Sequence, residues 1–197
     1  MKLFKKIMEK EKLSLLQSYI SQSIQPDRSK WLNYNVSDPR ELWYSLTRPI
    51  FIKYAQDLKT LNKTDLLYLT AFAYSWMPTV PKVGYLGEVD KKLNNAVLFV
   101  NKVKSGDMDM DNLESYAEDF ENLRELTNNS YVGMSKVLHF INPELFCIYD
   151  SRVMAKIKKI TGIKKMTFFE LTSSLYLIKK ELWVSLSEID LILWSAE

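Results

Sequence analysis

Residues 135–153, SKVLHFINPELFCIYDSRV, decide the expected fold and contain the only His and the only Cys of the chain. Apolar residues recur with helical spacing up to residue 141, and Pro143 ends that helix because proline cannot continue it. A short apolar bridge then leads to Asp150, a residue type favoured at helix N-caps. A helix carrying Lys136 is therefore followed closely by a lysine-rich helix headed by Asp150.

The first of these two helices is predicted to be amphipathic. Its apolar residues share one face, and the opposite stripe is polar, consisting of Ser135, Lys136, His139 and Asn142. This pattern predicts a solvated stripe that includes Lys136, whereas a lone His on a helix, such as His139, more often has a structural role.

The composition favours an all-α fold. The chain has 197 residues, of which 47% are hydrophobic and 26% charged, enough for one domain with a core or for two small lobes sharing a cleft. Only 5 Gly and 6 Pro leave few tight turns, and the apolar runs have a helical period. We expect roughly eight to ten helices.

Local signals place these helices along the chain. Asp38 with Pro39, Thr64 and Ser187 are predicted helix starts. The predicted segments are Glu11–Ile24, Pro39 toward Leu58, Leu66–Met77, Val89–Lys104, a helix reaching Leu126, Val153–Ile160, Thr167–Trp183 and Ser187–Trp194.

Several classes of protein are disfavoured. One Cys and one His exclude an internal disulfide and disfavour a zinc site, so no cofactor is expected. No secretory signal and no membrane-length apolar run is found, so we expect a cytoplasmic protein that does not bind membrane. The net charge of +3 is only mildly basic.

The order of hairpin, helix, Pro-containing bridge and Asp-headed helix resembles the helix-hairpin-helix superfamily of DNA glycosylases. The residues that carry the resemblance are Val132, Gly133, Lys136, Pro143, Asp150 and Val153. It implies two helical lobes with a cleft between them, lined by the hairpin and the Asp. The N-terminal segment is expected to fold back onto the C-terminal lobe. A single Cys excludes the four-Cys iron–sulfur cluster of one branch of this family.

The resemblance implies that Asp150 is catalytic. Breaking an N-glycosidic bond builds positive charge on the sugar, which a carboxylate stabilises. Lys136 is the candidate amine nucleophile. The alternative is that Ser135 occupies the amine position of the family, in which case water attacks. We expect water, and hence a monofunctional enzyme. The alternative roles are a simple N-cap for Asp150 and a solvated lysine for Lys136.

A flipped base needs aromatic surfaces, and phosphates need basic ones. The predicted base-binding residues are Tyr149, His139 and Trp76, with Trp31, Tyr34, Trp43, Tyr44 and Tyr74 as further aromatic candidates. The predicted phosphate-binding residues are Gly133, Ser135, Arg152, Lys156 and Lys159, supported by Lys158, Lys164 and Lys165 and by the N-terminal Lys2, Lys5, Lys6 and Lys10.

The expected function is therefore a monomeric DNA glycosylase that excises a damaged or modified base, in DNA repair or in anti-phage defence. A glucosylated hydroxymethylcytosine in phage DNA is one candidate substrate. The alternative is a non-catalytic helical module that binds DNA or a protein, in which Asp150 is only a cap.

Overall fold

The structure is a computed structural model that describes residues 8–24, 38–80 and 86–194, without the side chains of residues 86–90. Within these ranges it is all-helical and has no strand, which confirms the predicted all-α fold. Its α-helices are α1 (Lys10–Ser23), α2 (Pro39–Asp57), α3 (Lys63–Ser75), α4 (Leu86–Ser105), α5 (Ala117–Leu126), α6 (Tyr131–Ile141), α7 (Ser151–Thr161), α8 (Phe168–Leu182) and α9 (Leu186–Trp194), with a 3₁₀ helix at Met110–Tyr116 between α4 and α5. Across the described ranges, no helix combines the length and the apolar character needed to cross a bilayer.

Side-chain caps set several helix starts. Asp38 accepts a hydrogen bond from the Arg40 N–H, and Asp150 accepts one from the Val153 N–H, so both predicted caps are confirmed. The predicted cap at Thr64 is wrong. Asn62 caps α3 instead, because its side chain accepts the Asp65 N–H while the Asp65 carboxylate accepts the Asn62 N–H.

The last helix also begins earlier than predicted. Ser185 rather than Ser187 marks its start, since the Ser185 hydroxyl accepts the Glu188 N–H and the Glu188 carboxylate accepts the Ser185 N–H. The reciprocal Ser–Glu pair satisfies two backbone donors, which a lone Ser187 would not do.

The buried apolar side chains form two core clusters. The first comes mainly from α2 to α6, and the second mainly from α1, α7, α8 and α9. Helix α1 packs against α7, α8 and α9, so the N-terminal helix joins the C-terminal ones, as the resemblance implies. Trp76 and Tyr149 pack against both clusters. The segment that precedes α7, which contains Tyr149, therefore lies at the boundary between the two core clusters.

Helix α6 lies inside the protein rather than at its surface. All its residues from Gly133 to Ile141 are buried, including Ser135, Lys136 and His139. The predicted solvated stripe is therefore wrong. It fails because α2, α3, α4 and α5 all pack against α6 and residues of the bridge to α7 bond to its polar side chains.

Candidate functional site

The candidate site is built around the start of α7. The Asp150 backbone is extended, with φ of −135° and ψ of 176°, and its Oδ1 accepts the Val153 N–H at 2.9 Å. Its side chain thus lies at the positive end of the helix dipole, where a carboxylate is favoured. Asp150 is half-buried, so it is part of the surface while held by the helix.

Lys136 lies close to Asp150 and is nearly enclosed. Its side chain contacts Trp76. The ammonium donates to the Trp76 carbonyl oxygen at 3.3 Å and lies 5.8 Å from the centre of the Trp76 ring. The residue is only 5% exposed. Burial lowers the pKa of Lys136, and the nearby Asp150 carboxylate opposes this shift. The structure therefore brings together three of the predicted site residues.

Two polar residues of α6 hold the segment that presents Asp150. The Ser135 hydroxyl accepts the Tyr149 N–H at 2.9 Å, and the His139 Nδ1 lies 2.8 Å from the Phe146 carbonyl oxygen. Both side chains are fully buried. They fix the backbone just before the start of α7, and hence the position of Asp150.

The other ring nitrogen of His139 belongs to a buried network. Arg48 donates to Nε2 from its Nε at 3.2 Å and from its Nη2 at 2.9 Å, so Nε2 is the acceptor and Nδ1 carries the proton donated to Phe146. Burial, and then the charge of Arg48, lower the pKa of His139 well below its usual value. The ring is therefore neutral, and a phosphate or base contact by His139 is not supported.

Asp190 completes this network from α9. Its Oδ1 accepts the Ile148 N–H at 2.8 Å, and its Oδ2 lies 3.4 Å from the Arg48 Nη2, which also donates to Ser187 at 3.2 Å. Burial, with a smaller effect of the Asp150 charge, raises the pKa of Asp190 to about 6 against the opposing effects of Arg48 and of the Ile148 N–H. Arg48 and Asp190 were not predicted. The only signal was one carboxylate within the apolar run of residues 189–194.

Gly133 and Ser135 face the protein interior rather than a phosphate. The Gly133 N–H donates to the Ser130 hydroxyl at 3.1 Å. A side chain at Gly133 would lie 3.2 Å from the Thr127 Cβ and 3.4 Å from the Tyr74 hydroxyl, so glycine allows close packing there. Phosphate binding by Gly133 or Ser135 is therefore not supported.

The predicted basic residues of α7 differ in their surroundings. Arg152 donates to Glu41 at 3.0 Å and stands over the Trp194 ring at 4.8 Å. Lys156 lies 3.4 Å from the Tyr19 hydroxyl, whereas Lys159 is exposed. The basic residues therefore follow Asp150 along α7, and contacts within the protein orient Arg152 and Lys156.

The two predicted aromatic platforms also differ. Trp76 is packed in the core, with its Nε1 donating to the Thr47 hydroxyl at 2.8 Å and its ring 4.2 Å from that of Tyr44. Tyr149 is half-buried, donates to the Met166 carbonyl oxygen at 2.8 Å and lines a cavity of about 510 Å³. Base binding by Tyr149 stays a prediction. Trp31, Tyr34, Lys2, Lys5 and Lys6 lie outside the described residues.

Comparison of the chain with family models, with curated proteins and with solved structures gives no match. Among the described residues, no group of His, Cys, Asp and Glu side chains is placed to hold a metal ion. The geometry around Lys136 and Asp150 therefore has to carry the functional argument.

Proposed function

We propose that this protein is a DNA glycosylase that breaks the N-glycosidic bond of a modified base turned out of the helix. The observation that carries the proposal is the placement of Lys136 relative to Asp150: a nearly buried amine lies within electrostatic range of a carboxylate at the start of α7. The motif that resembles the glycosylases supplies both residues.

The two groups suit the chemistry of base removal. As the bond to the base breaks, positive charge develops on the deoxyribose, and the Asp150 carboxylate would stabilise that charge. A buried lysine with a lowered pKa holds more free amine at neutral pH than an exposed one. The position of Lys136 thus supports it as the nucleophile, with water as the alternative that the sequence favours.

The placement of Ser135 bears on that choice. The Ser135 hydroxyl accepts the Tyr149 N–H, so Ser135 contacts the bridge. The Lys136 ammonium instead donates to the Trp76 carbonyl oxygen, and the Asp150 charge acts on its pKa. Of the two residues that can occupy the amine position of the family, Lys136 is the one that carries an amine, and its pKa responds to the Asp150 charge. An attack by the free amine of Lys136 on C1′ would displace the base, which leaves with the amine proton. Opening of the C1′–O4′ bond, with a second proton passing from the nitrogen to O4′, would then leave a covalent imine between Lys136 and the sugar.

Basic residues on α7 would hold the DNA. Arg152 and Lys156 lie in the first and second turns of α7, and Lys159 is exposed further along the same helix. Phosphate contacts from such residues position a strand without reading its sequence. The substrate class that we propose is a modified base, and a glucosylated hydroxymethylcytosine of phage DNA is the first candidate to test.

The test is incubation of the protein with DNAs that differ only in one modified base, followed by mass spectrometry of the released bases. We expect one modified base to be released by the native chain and none by Asp150→Asn. Equal release by the two proteins would overturn the role of Asp150.

One observation favours a second function, a non-catalytic DNA-binding module. The Asp150 carboxylate does cap α7, which is a sufficient structural reason for its presence. In that case the panel of modified DNAs would be bound but would release no base.

A further inference from the structure

A cavity of about 510 Å³ lies next to the candidate site, between Tyr149, α7 and the start of α8. Its apolar wall includes Tyr131, Tyr149, Met154 and Met166, and Lys164 and Lys165 lie on its rim. Asp150, Lys136 and Trp76 do not line it. Its volume falls in the range of about 300–1,000 Å³ that is usual for small-ligand sites.

The polar groups of the cavity wall mostly serve the protein itself. The Tyr149 hydroxyl donates to the Met166 carbonyl oxygen at 2.8 Å, and Tyr131 directs its hydroxyl to Glu121 at 3.4 Å. Both rings therefore contribute apolar surface rather than hydrogen-bonding groups. A ligand with a flat apolar body fits such a wall better than a sugar, which needs many polar partners.

The charge at the rim selects an anion. Lys164 and Lys165 are exposed, and the carboxylate that also lines the cavity, Glu170, accepts the Thr167 N–H at 2.7 Å as part of the cap of α8. The acidic group is thus directed to the helix start, whereas the two ammonium groups extend from the loop between α7 and α8. A flat ligand with an attached phosphate matches this arrangement.

We propose that the cavity binds one nucleotide of a DNA strand, with the base against Tyr131 and Tyr149 and its phosphate at Lys164 and Lys165. Tyr149 directly precedes Asp150, so this nucleotide would neighbour the one that reacts at Asp150. The choice of a nucleotide over other flat anions rests on the proposed function. The site itself would hold a base that is read by stacking, and hence with little sequence preference.

The test is calorimetric titration of the Asp150→Asn chain, which separates binding from base release. The probes are thymidine, thymidine monophosphate, inorganic phosphate and a tetranucleotide of thymidine. We expect the monophosphate to bind roughly tenfold more tightly than thymidine or inorganic phosphate, and the tetranucleotide more tightly still. A Lys164→Gln, Lys165→Gln double variant should lose the advantage of the phosphate.

Lys59→Gln is the matched control, because Lys59 is exposed between α2 and α3, far from α7 in sequence, and does not line the cavity. A Met154→Trp variant, which fills the cavity, should weaken all binding that depends on the base. Equal affinity for thymidine and its monophosphate, or for inorganic phosphate and the monophosphate, would overturn the nucleotide site. A tetranucleotide that binds no better than the monophosphate would overturn its assignment to a strand. If the native chain binds nucleotides but releases no base from any DNA, the nucleotide site is supported and only the proposed glycosylase activity is contradicted.

Discussion

The Asp190 carboxylate on α9 accepts the Ile148 N–H at 2.8 Å, two residues before Asp150. This bond ties the last helix to the segment that presents Asp150. Because Asp190 also pairs with Arg48 of α2, helices from both core clusters hold that segment. The position of Asp150 thus depends on residues far from it in the sequence.

Replacement of Asp190 by Asn should change how stability depends on pH. The folded pKa of Asp190 is about 6, above its ordinary value of 3.8, so the folded protein binds more protons between these values. The free energy of unfolding of the native chain, relative to Asp190→Asn, should therefore fall as pH rises from about 4 to about 6, by on the order of 3 kcal/mol. Urea unfolding at a series of pH values measures this. A constant difference between the two proteins across that range would contradict it.

Ser135→Ala should destabilise the protein although it removes a single oxygen. The Tyr149 N–H would lose its acceptor inside the protein, which costs about 1–3 kcal/mol. Urea unfolding gives the free energy, and hydrogen exchange at the Tyr149 amide should accelerate. Ser75→Ala is the control, because the Ser75 hydroxyl is exposed and donates only to the Phe72 carbonyl oxygen of its own helix. An equal effect of the two changes would show that the Tyr149 bond adds nothing.

Borohydride should trap a covalent adduct between Lys136 and modified DNA. The reagent reduces the imine that an amine forms with the sugar, and the lowered pKa of Lys136 should bring the pH midpoint of trapping below 10.5. Loss of the adduct in Lys136→Ala, measured by gel shift, is expected. Lys104→Ala is the matched control, since Lys104 is also partly buried, has a pKa lowered by burial and donates to a backbone carbonyl, that of Ala55. Base release without any adduct would instead assign the attack to water, as the sequence favours.

Lys159→Gln should weaken the dependence of DNA binding on salt. Each lysine that neutralises a phosphate contributes about 0.9 to the slope of log K against log salt on duplex DNA. We expect the slope to flatten by about one unit, equally for modified and unmodified DNA. The control is Lys59→Gln, which removes the same charge from an exposed lysine between α2 and α3. An unchanged slope for Lys159→Gln would place the DNA surface elsewhere.

Local chemistry could be read from the sequence, and remote contacts could not. The caps at Asp38 and Asp150 follow from residue type and from the apolar runs behind them. The capping box of Asn62 and Asp65 has an equally local signature and could have been found. In contrast, the burial of Lys136 and His139 depends on what packs against α6, which helical periodicity does not reveal.

The network around the site could not be predicted for the same reason. Arg48, His139 and Asp190 come from three separated helices and meet only after folding. A lone Asp in the apolar run of α9 signals a buried partner, but nothing in the sequence names Arg48. The proximity of Lys136 to Asp150, by comparison, was implied by a short motif, because only the bridge between α6 and α7 separates the two residues.

The most direct measurement is the single-turnover rate of base release by Asp150→Asn, on the DNA from which the native chain releases a base. Asn also caps helices, so the variant should stay folded and bind DNA. Asp38→Asn is the matched control, because Asp38 caps α2 through the Arg40 N–H in the way that Asp150 caps α7. The account predicts that Asp150→Asn slows release by on the order of 10²–10³-fold or more and that Asp38→Asn leaves the rate unchanged. Release by Asp150→Asn at the rate of Asp38→Asn would contradict it.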